Sequence, residues 1–212
     1  MVGQKAYARE VIKRLERAYP EARIALQSSN PLELLVAVIL SAQCTDAMVN
    51  RITPALFGRY PTAQDYAGAE VGELESLIRP CGFYRSKAKN IMGAARVLVR
   101  DFAGEIPRTM AEITTLPGVA RKTGNIVLFR TYGVTEGIAV DTHVRRISQR
   151  LGLSKQTNPD KIEIDLMSVV PRSKWGVFNY LLVNLGRGPC PARLARHEEC
   201  VLRDICPAAT GT

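Results

Sequence analysis

A chain of 212 residues, 46% apolar and 23% charged, has the proportions of an ordinary globular protein and enough material for one domain or two small ones around a real hydrophobic core. Its net charge of +9 favours a polyanionic partner, with a membrane surface as the plainer competitor, and no stretch approaches the roughly 20 apolar residues that span a bilayer. Five cysteines, three of them near the C-terminus, and an N-terminus of alternating acids and bases without a secretory apolar run argue against a disulfide framework and for an intracellular, cytoplasmic protein with a metal site.

The periodicity is helical nearly throughout, so the fold class is all-α. Ala8, Val11, Ile12, Leu15 and Tyr19 form one stripe of a first helix that Pro20 stops. Asn30-Pro31-Leu32-Glu33 reads as N-cap, proline at the first helical position and an acid in the first turn. The run Leu34–Leu40 that follows is apolar on every side, which suits a central buried helix; a buried strand is the alternative, and the cap argues against it. Further helices are expected at about 46–57, where Pro54 should kink or split the element, and at 71–78, 86–102, 109–116 and 121–132. The last three are expected at 142–151, 159–169, where Asn158-Pro159 repeats the cap signature, and 173–185. Only a few residues near Ile138–Val140 alternate as a strand would, and no repeat or long linker interrupts the chain.

Leu116-Pro117-Gly118-Val119-Ala120-Arg121-Lys122-Thr123 joins two of these helices through a tight turn. Backbone amides of Gly118, Val119 and Ala120, at a turn that opens a helix, can face a phosphate oxygen without reading any base. The plainer reading is an ordinary corner between helices; Arg121, Lys122 and the basic balance favour DNA. A lysine at pKa about 10.4 leaves only roughly one amine in a few thousand neutral at pH 7, so a nucleophilic Lys122 needs that value lowered by the helix start, Arg121 or partial burial. Val140-Asp141-Thr142-His143 follows. Asp141 reads blandly as the N-cap of the next helix, which also fixes a carboxylate rigidly near a developing cation.

Near the C-terminus the spacing Cys190-x6-His197-x2-Cys200-x5-Cys206 sets four residues able to bind a metal at short intervals. Composition and spacing alone favour zinc, for which three cysteines and a histidine are a normal set. The loop between Cys190 and His197 holds Arg193 and Arg196 and no acid, as a clip presenting cations to a DNA backbone would. Cys44 and Cys81 are remote in sequence from this cluster and read as ordinary thiols.

These motifs in this order, together with Ser41-Ala42-Gln43-Cys44-Thr45-Asp46 and Gly82-Phe83-Tyr84-Arg85-Ser86-Lys87-Ala88, resemble the endonuclease III family of bifunctional DNA glycosylase/AP lyases, over about Asn30 to Cys206. The resemblance implies a two-lobed helix–hairpin–helix fold with DNA bound across the cleft. One lobe is expected over about residues 22–133, the other from 1–21 plus 134–212 with the cluster. It implies duplex DNA with an oxidised pyrimidine or an abasic site as the partner, Lys122 as nucleophile at the sugar and Asp141 as its carboxylate. Gln43 would fill the vacated stack, Phe83 would be a second wedge, and His143 would contact DNA or pack between the lobes. Without the resemblance, Gln43 reads as a helix-end amide and Phe83 as core.

Two departures from the family stand out. Ala120 replaces a glycine in the hairpin; its methyl should crowd a phosphate slightly at negative φ and more at positive φ. His197 replaces the second cysteine of the family's [4Fe–4S] ligands. The resemblance favours a [4Fe–4S] cluster with Cys3His ligation, and zinc or a lost cluster are the alternatives; a neutral imidazole for a thiolate should raise the reduction potential. The expected assembly is a monomer on DNA, at the nucleoid. The competing functions are a non-catalytic DNA-binding protein with a structural metal and a monofunctional glycosylase, against which Lys122 argues.

Overall fold

The computed structural model describes residues 2–210. Among them lie α1 (Val2–Ala18), α2 (Pro31–Leu40), α3 (Asp46–Arg59), α4 (Ala63–Ala67), α5 (Val71–Ile78) and α6 (Tyr84–Phe102). Then come α7 (Met110–Ile113), α8 (Arg121–Tyr132), α9 (Thr142–Arg150), α10 (Pro159–Val169), α11 (Trp175–Arg187) and α12 (Pro207–Thr210). No strand occurs among the described residues, and the stretch at Ile138–Val140 is irregular. No helix is long and apolar enough to cross a membrane among the described residues. The chain divides into two compact units, Ala25–Val134 and Met1–Ile24 with Thr135–Thr212.

In the unit 25–134 the central element is α2. Asn30 accepts from the Glu33 amide at 2.9 Å, and Glu33 returns the bond to the Ser29 amide at 2.6 Å, so orphan donors at the helix start are satisfied by its own residues. All seven residues from Leu34 to Leu40 are buried, which explains a run with no polar face, and the helix packs on α3, α6 and α8. Each such leucine or isoleucine contributes about 1.5–3 kcal/mol of burial. Pro54 does not split α3, which runs unbroken to Arg59; the proline withdraws one donor from the turn before it, and buried Val49, Thr53 and Leu56 keep the element seated. The short α4 lay beyond the reach of periodicity: five residues, closed by a Thr62–Asp65 capping box and anchored by buried Ala63 and Tyr66.

The helix expected over 109–116 is shorter. Thr114 Oγ1 donates to the Met110 carbonyl at 2.7 Å and Thr115 Oγ1 to that of Glu112 at 2.7 Å, so the threonine hydroxyls take carbonyls that another helical turn would have used. Close contact of α7 with α8 depends on Gly124, where a Cβ would meet Met110 Sδ at 2.7 Å and Ile113 Cγ2 at 3.1 Å.

In the other unit, α1 packs on α10 and α11, and α9 packs on the same two helices. Its core joins Val11, Leu15, Val144, Ile147, Phe178 and Leu182. Asn179 donates to the Ala139 carbonyl at 2.9 Å, which satisfies irregular buried backbone just before Asp141. Glu16 and Lys174 pair at 2.5 Å between α1 and the start of α11, a partly exposed contact worth at most about 1 kcal/mol.

Candidate functional site

The hairpin turn is held from behind. Gly118 has φ +77, a left-handed conformation that glycine adopts without penalty, and a Cβ there would lie 2.7 Å from Asn90 Cβ on α6. Both conditions exclude other residues. The Val119 amide donates to the Leu116 carbonyl at 3.1 Å and its side chain is buried. The Val119 amide thus closes the turn, a use that the expectation of an anion-facing amide did not include. Ala120 has φ −91 and ψ 173, ordinary extended backbone, so its methyl sits in the milder of the two cases foreseen. It precedes α8 with no side-chain cap, and Arg121 and Lys122 are exposed on the first helical turn.

Gln43 and Phe83 share an unusual feature. Both have left-handed backbone, φ +51 and φ +47, a conformation that costs non-glycine residues about 1 kcal/mol or more. Gln43 is exposed, and Phe83, a large aromatic, is 64% exposed instead of packing in the core. Burial therefore decides against the plain reading of Phe83. Strain and exposure together are hard to explain by folding alone.

Asp141 is the N-cap of α9: its Oδ1 accepts from the Val144 amide at 2.8 Å. The side chain is half-buried and held in one orientation. His143, on the first turn of the same helix, lies against α11, where a Cβ on Gly186 would overlap its Nδ1; Arg146 Nη2 stands 3.3 Å from that nitrogen. Arg146 also donates to the Cys190 carbonyl at 3.1 Å. The α9 helix thus carries one contiguous contact chain from His143 to the first cysteine of the C-terminal cluster, which sequence spacing did not reveal.

Cys190, His197, Cys200 and Cys206 line one cavity with Ile147, Arg150 and Leu202; about 330 Å3 there is free of atoms, part of it open to solvent. Arg150 Nη1 donates to Cys190 Sγ at 3.1 Å and to the Pro191 carbonyl at 2.8 Å, and its Nη2 donates to the Ala192 carbonyl at 3.0 Å. Burial pushes the Cys200 thiol above its ordinary value, and the Cys190 and Cys206 sulfurs add to the rise. Tyr7, buried beside Cys206, is raised to about 12 for the same reasons. Among the described residues no three His, Cys, Asp or Glu side chains converge closely enough for a single metal ion.

In the loop between them Arg193 is exposed, while Arg196 pairs with Glu199 at 3.2 Å and donates to the Gly188 carbonyl at 3.0 Å. Part of the charge of Arg196 is therefore committed to its own loop. Leu194, 78% exposed beside Arg193, was not foreseen as a surface residue of interest.

Three comparisons place these features among known proteins. Residues 36–172 match the HhH-GPD superfamily of base excision DNA repair proteins. The chain is 50% identical to Endonuclease III of Synechocystis sp. over 209 residues, covering 99% of this chain and 95% of that one, and 45% identical to Endonuclease III of Bacillus subtilis, covering 89% and 86%. It superposes with a TM-score of 0.92, at 39% identity over 98% of this chain and 97% of the other, on the structure of Endonuclease III trapped as a covalent DNA intermediate. This chain belongs to the HhH-GPD superfamily of base excision DNA repair proteins, within its endonuclease III branch.

Proposed function

We propose that the protein is a DNA glycosylase with AP lyase activity that removes oxidised pyrimidines from duplex DNA, with Lys122 as the nucleophile. The observation that carries this reading is Lys122 itself: an exposed amine on the first turn of α8, directly after the glycine-locked turn, in a chain half identical to Endonuclease III.

A base inside a duplex is out of reach, so the nucleotide must be extruded at a cost of a few kcal/mol. Gln43 and Phe83, held outward by left-handed backbone, supply the groups that occupy the emptied stack, and their strain is the cost of presenting them. The amides of Gly118 and Ala120 with the start of α8 hold a backbone phosphate, and His143, Arg121, Arg193 and Arg196 add contacts to DNA. Lys122 in its neutral form attacks C1′, the bond to the base breaks, and the base leaves with its electron pair and takes up a proton. The attacking nitrogen gives up one proton, its lone pair expels O4′, which takes up a proton as the sugar ring opens, and a protonated Schiff base remains at C1′. Removal of a C2′ proton then expels the 3′ phosphate by β-elimination. Asp141, fixed by the Val144 amide, stabilises the cationic sugar.

Cys190, Cys200, Cys206 and His197 would hold a [4Fe–4S] cluster with Cys3His ligation. The fit rests on four donors that line one cavity and on the match of their spacing to the family's cluster ligands in a chain half identical to Endonuclease III. When bound, the cluster supplies a covalent brace for the loop 190–206; Arg150 orients Cys190 and offsets thiolate charge through its Sγ contact. A brown protein containing iron and sulfide supports this assignment, and a colourless protein with zinc overturns it.

The decisive experiment is borohydride trapping on duplexes carrying an oxidised pyrimidine, uracil or an abasic site. Wild type should become covalently joined to the oxidised and abasic duplexes, and strand cleavage should follow base release. Undiminished trapping by Lys122→Ala removes the lysine from the mechanism, and base release without cleavage returns the monofunctional alternative.

A further inference from the structure

Gln43 and Phe83 stand on separate loops of the unit 25–134, and their left-handed backbone persists only where the surroundings over-determine it. The Gln43 loop leaves the end of α2, and Phe83 lies between the 3-10 turn Arg79–Cys81 and α6. One buried side chain reaches both. Lys87, on the first turn of α6 and 3% exposed, donates from Nζ to the Leu40 carbonyl at 2.8 Å and to the Cys81 carbonyl at 2.9 Å. Its amide donates to the Phe83 carbonyl at 3.1 Å, and Ser86 Oγ donates to the same oxygen at 2.9 Å.

Leu40 is the last residue of α2. The Cys44 amide, which one more helical bond would have brought to Leu40, goes to the Ser41 carbonyl at 3.1 Å instead. The Leu40 carbonyl thus sits at the negative end of a helix, where a cation is favoured. Satisfying that one carbonyl is an ordinary structural use, for which a neutral donor suffices. A buried ammonium is costlier: both its acceptors are uncharged, and burial lowers the Lys87 pKa from the ordinary lysine value. What it offers in return is a long stem and several strong donors, enough to clamp two segments at once.

We propose that Lys87 is a positioning residue for nucleotide extrusion: its ammonium clamps the end of α2 to the turn before Phe83 and so sets the spacing at which Gln43 and Phe83 enter the duplex. The proposal rests on the role given above to those two side chains.

The consequence follows from where the clamp sits. At 3% exposed, Lys87 is out of reach of DNA and acts through the two loops. Lys122 stands on a different helix, α8, and makes no use of it in attacking the sugar. Loss of the clamp should therefore impair opening of the stack and spare the chemistry once a nucleotide is already unstacked.

The test compares single-turnover trapping rates of the metal-loaded protein on two substrates. One is an abasic site in a fully paired duplex; the other is the same site in an unpaired loop between duplex arms, where no stack has to be filled. Lys87→Met keeps the stem and removes the donors. Its duplex rate should fall about ten- to a hundredfold relative to its loop rate. Mere loss of folded protein lowers both rates alike and leaves the ratio unchanged. Lys87→Gln, which retains an amide donor, carries the same ratio test if the methionine variant folds poorly. The double variant Gln43→Ala/Phe83→Ala is the reference: its ratio should also fall, and adding Lys87→Met should lower it no further. A lowered ratio in the reference with an unchanged one in the Lys87 variants overturns this proposal alone. An unchanged ratio in the reference overturns the part assigned to Gln43 and Phe83. A further, additive fall in the triple variant overturns the clamp, because the ammonium then acts through something else.

Discussion

The hairpin turn and the C-terminal ligand loop both hold irregular backbone in place, and they do so by opposite means. The turn at 116–120 is shaped by its own sterics: Gly118 is left-handed, its missing Cβ makes room for Asn90, and Val119 closes the turn through the Leu116 carbonyl. The loop 188–206 has only one short 3-10 turn at His197–Glu199 and leans on two arginines of α9, Arg146 and Arg150, which donate to the Cys190, Pro191 and Ala192 carbonyls and to Cys190 Sγ. Its four cysteine and histidine side chains line a cavity that is partly open to solvent. A packed turn is complete without a ligand, whereas a loop built around a cavity depends on what fills it.

Four experiments test that contrast. The largest effect is expected at the turn's chemistry. Lys122→Ala should lower lyase turnover by at least about a thousandfold while the thermal midpoint stays put, because the side chain is exposed. Comparable losses of activity and stability would show that the lysine is structural.

Removal of the bound group by oxidation and chelation comes next. Hydrogen exchange should show residues 188–206 losing protection while α2 and α6 keep theirs, if the proposed cluster braces that loop and not the unit 25–134. Equal loss in both units contradicts the contrast.

Gly118→Ala should destabilise by about 1–3 kcal/mol in urea unfolding, from positive φ and from overlap with Asn90. A neutral result means the turn is softer than its geometry implies. The smallest effect belongs to Ala120→Gly. At φ −91 the methyl is not strained, so affinity for an abasic duplex should change by no more than about threefold. A large gain would mean that the methyl blocks the phosphate after all.

Caps and periodicity made much of the fold legible. Asn30-Pro31, Asn158-Pro159 and Asp141 carry their own hydrogen-bonding instructions, and the structure starts helices immediately after all three. The shortened α7 and the unbroken α3 departed from expectation because threonine hydroxyls and surrounding burial outweigh local propensity. Within the site, Lys122, Asp141 and the C-terminal ligand spacing could be picked out by type and interval alone. The internal use of the Val119 amide could not, since it depends on how one turn closes in three dimensions.

Residue order alone settled the all-helical class, the places where most helices begin and the side chains worth suspecting, because caps, prolines and apolar periods act over a few residues. Folding alone settled that Phe83 faces outward, that Gly186 receives His143 and that the buried Lys87 ammonium joins the Leu40 and Cys81 carbonyls. Those contacts join segments far apart along the chain, and packing, which has no signature in local sequence, is what brings them together.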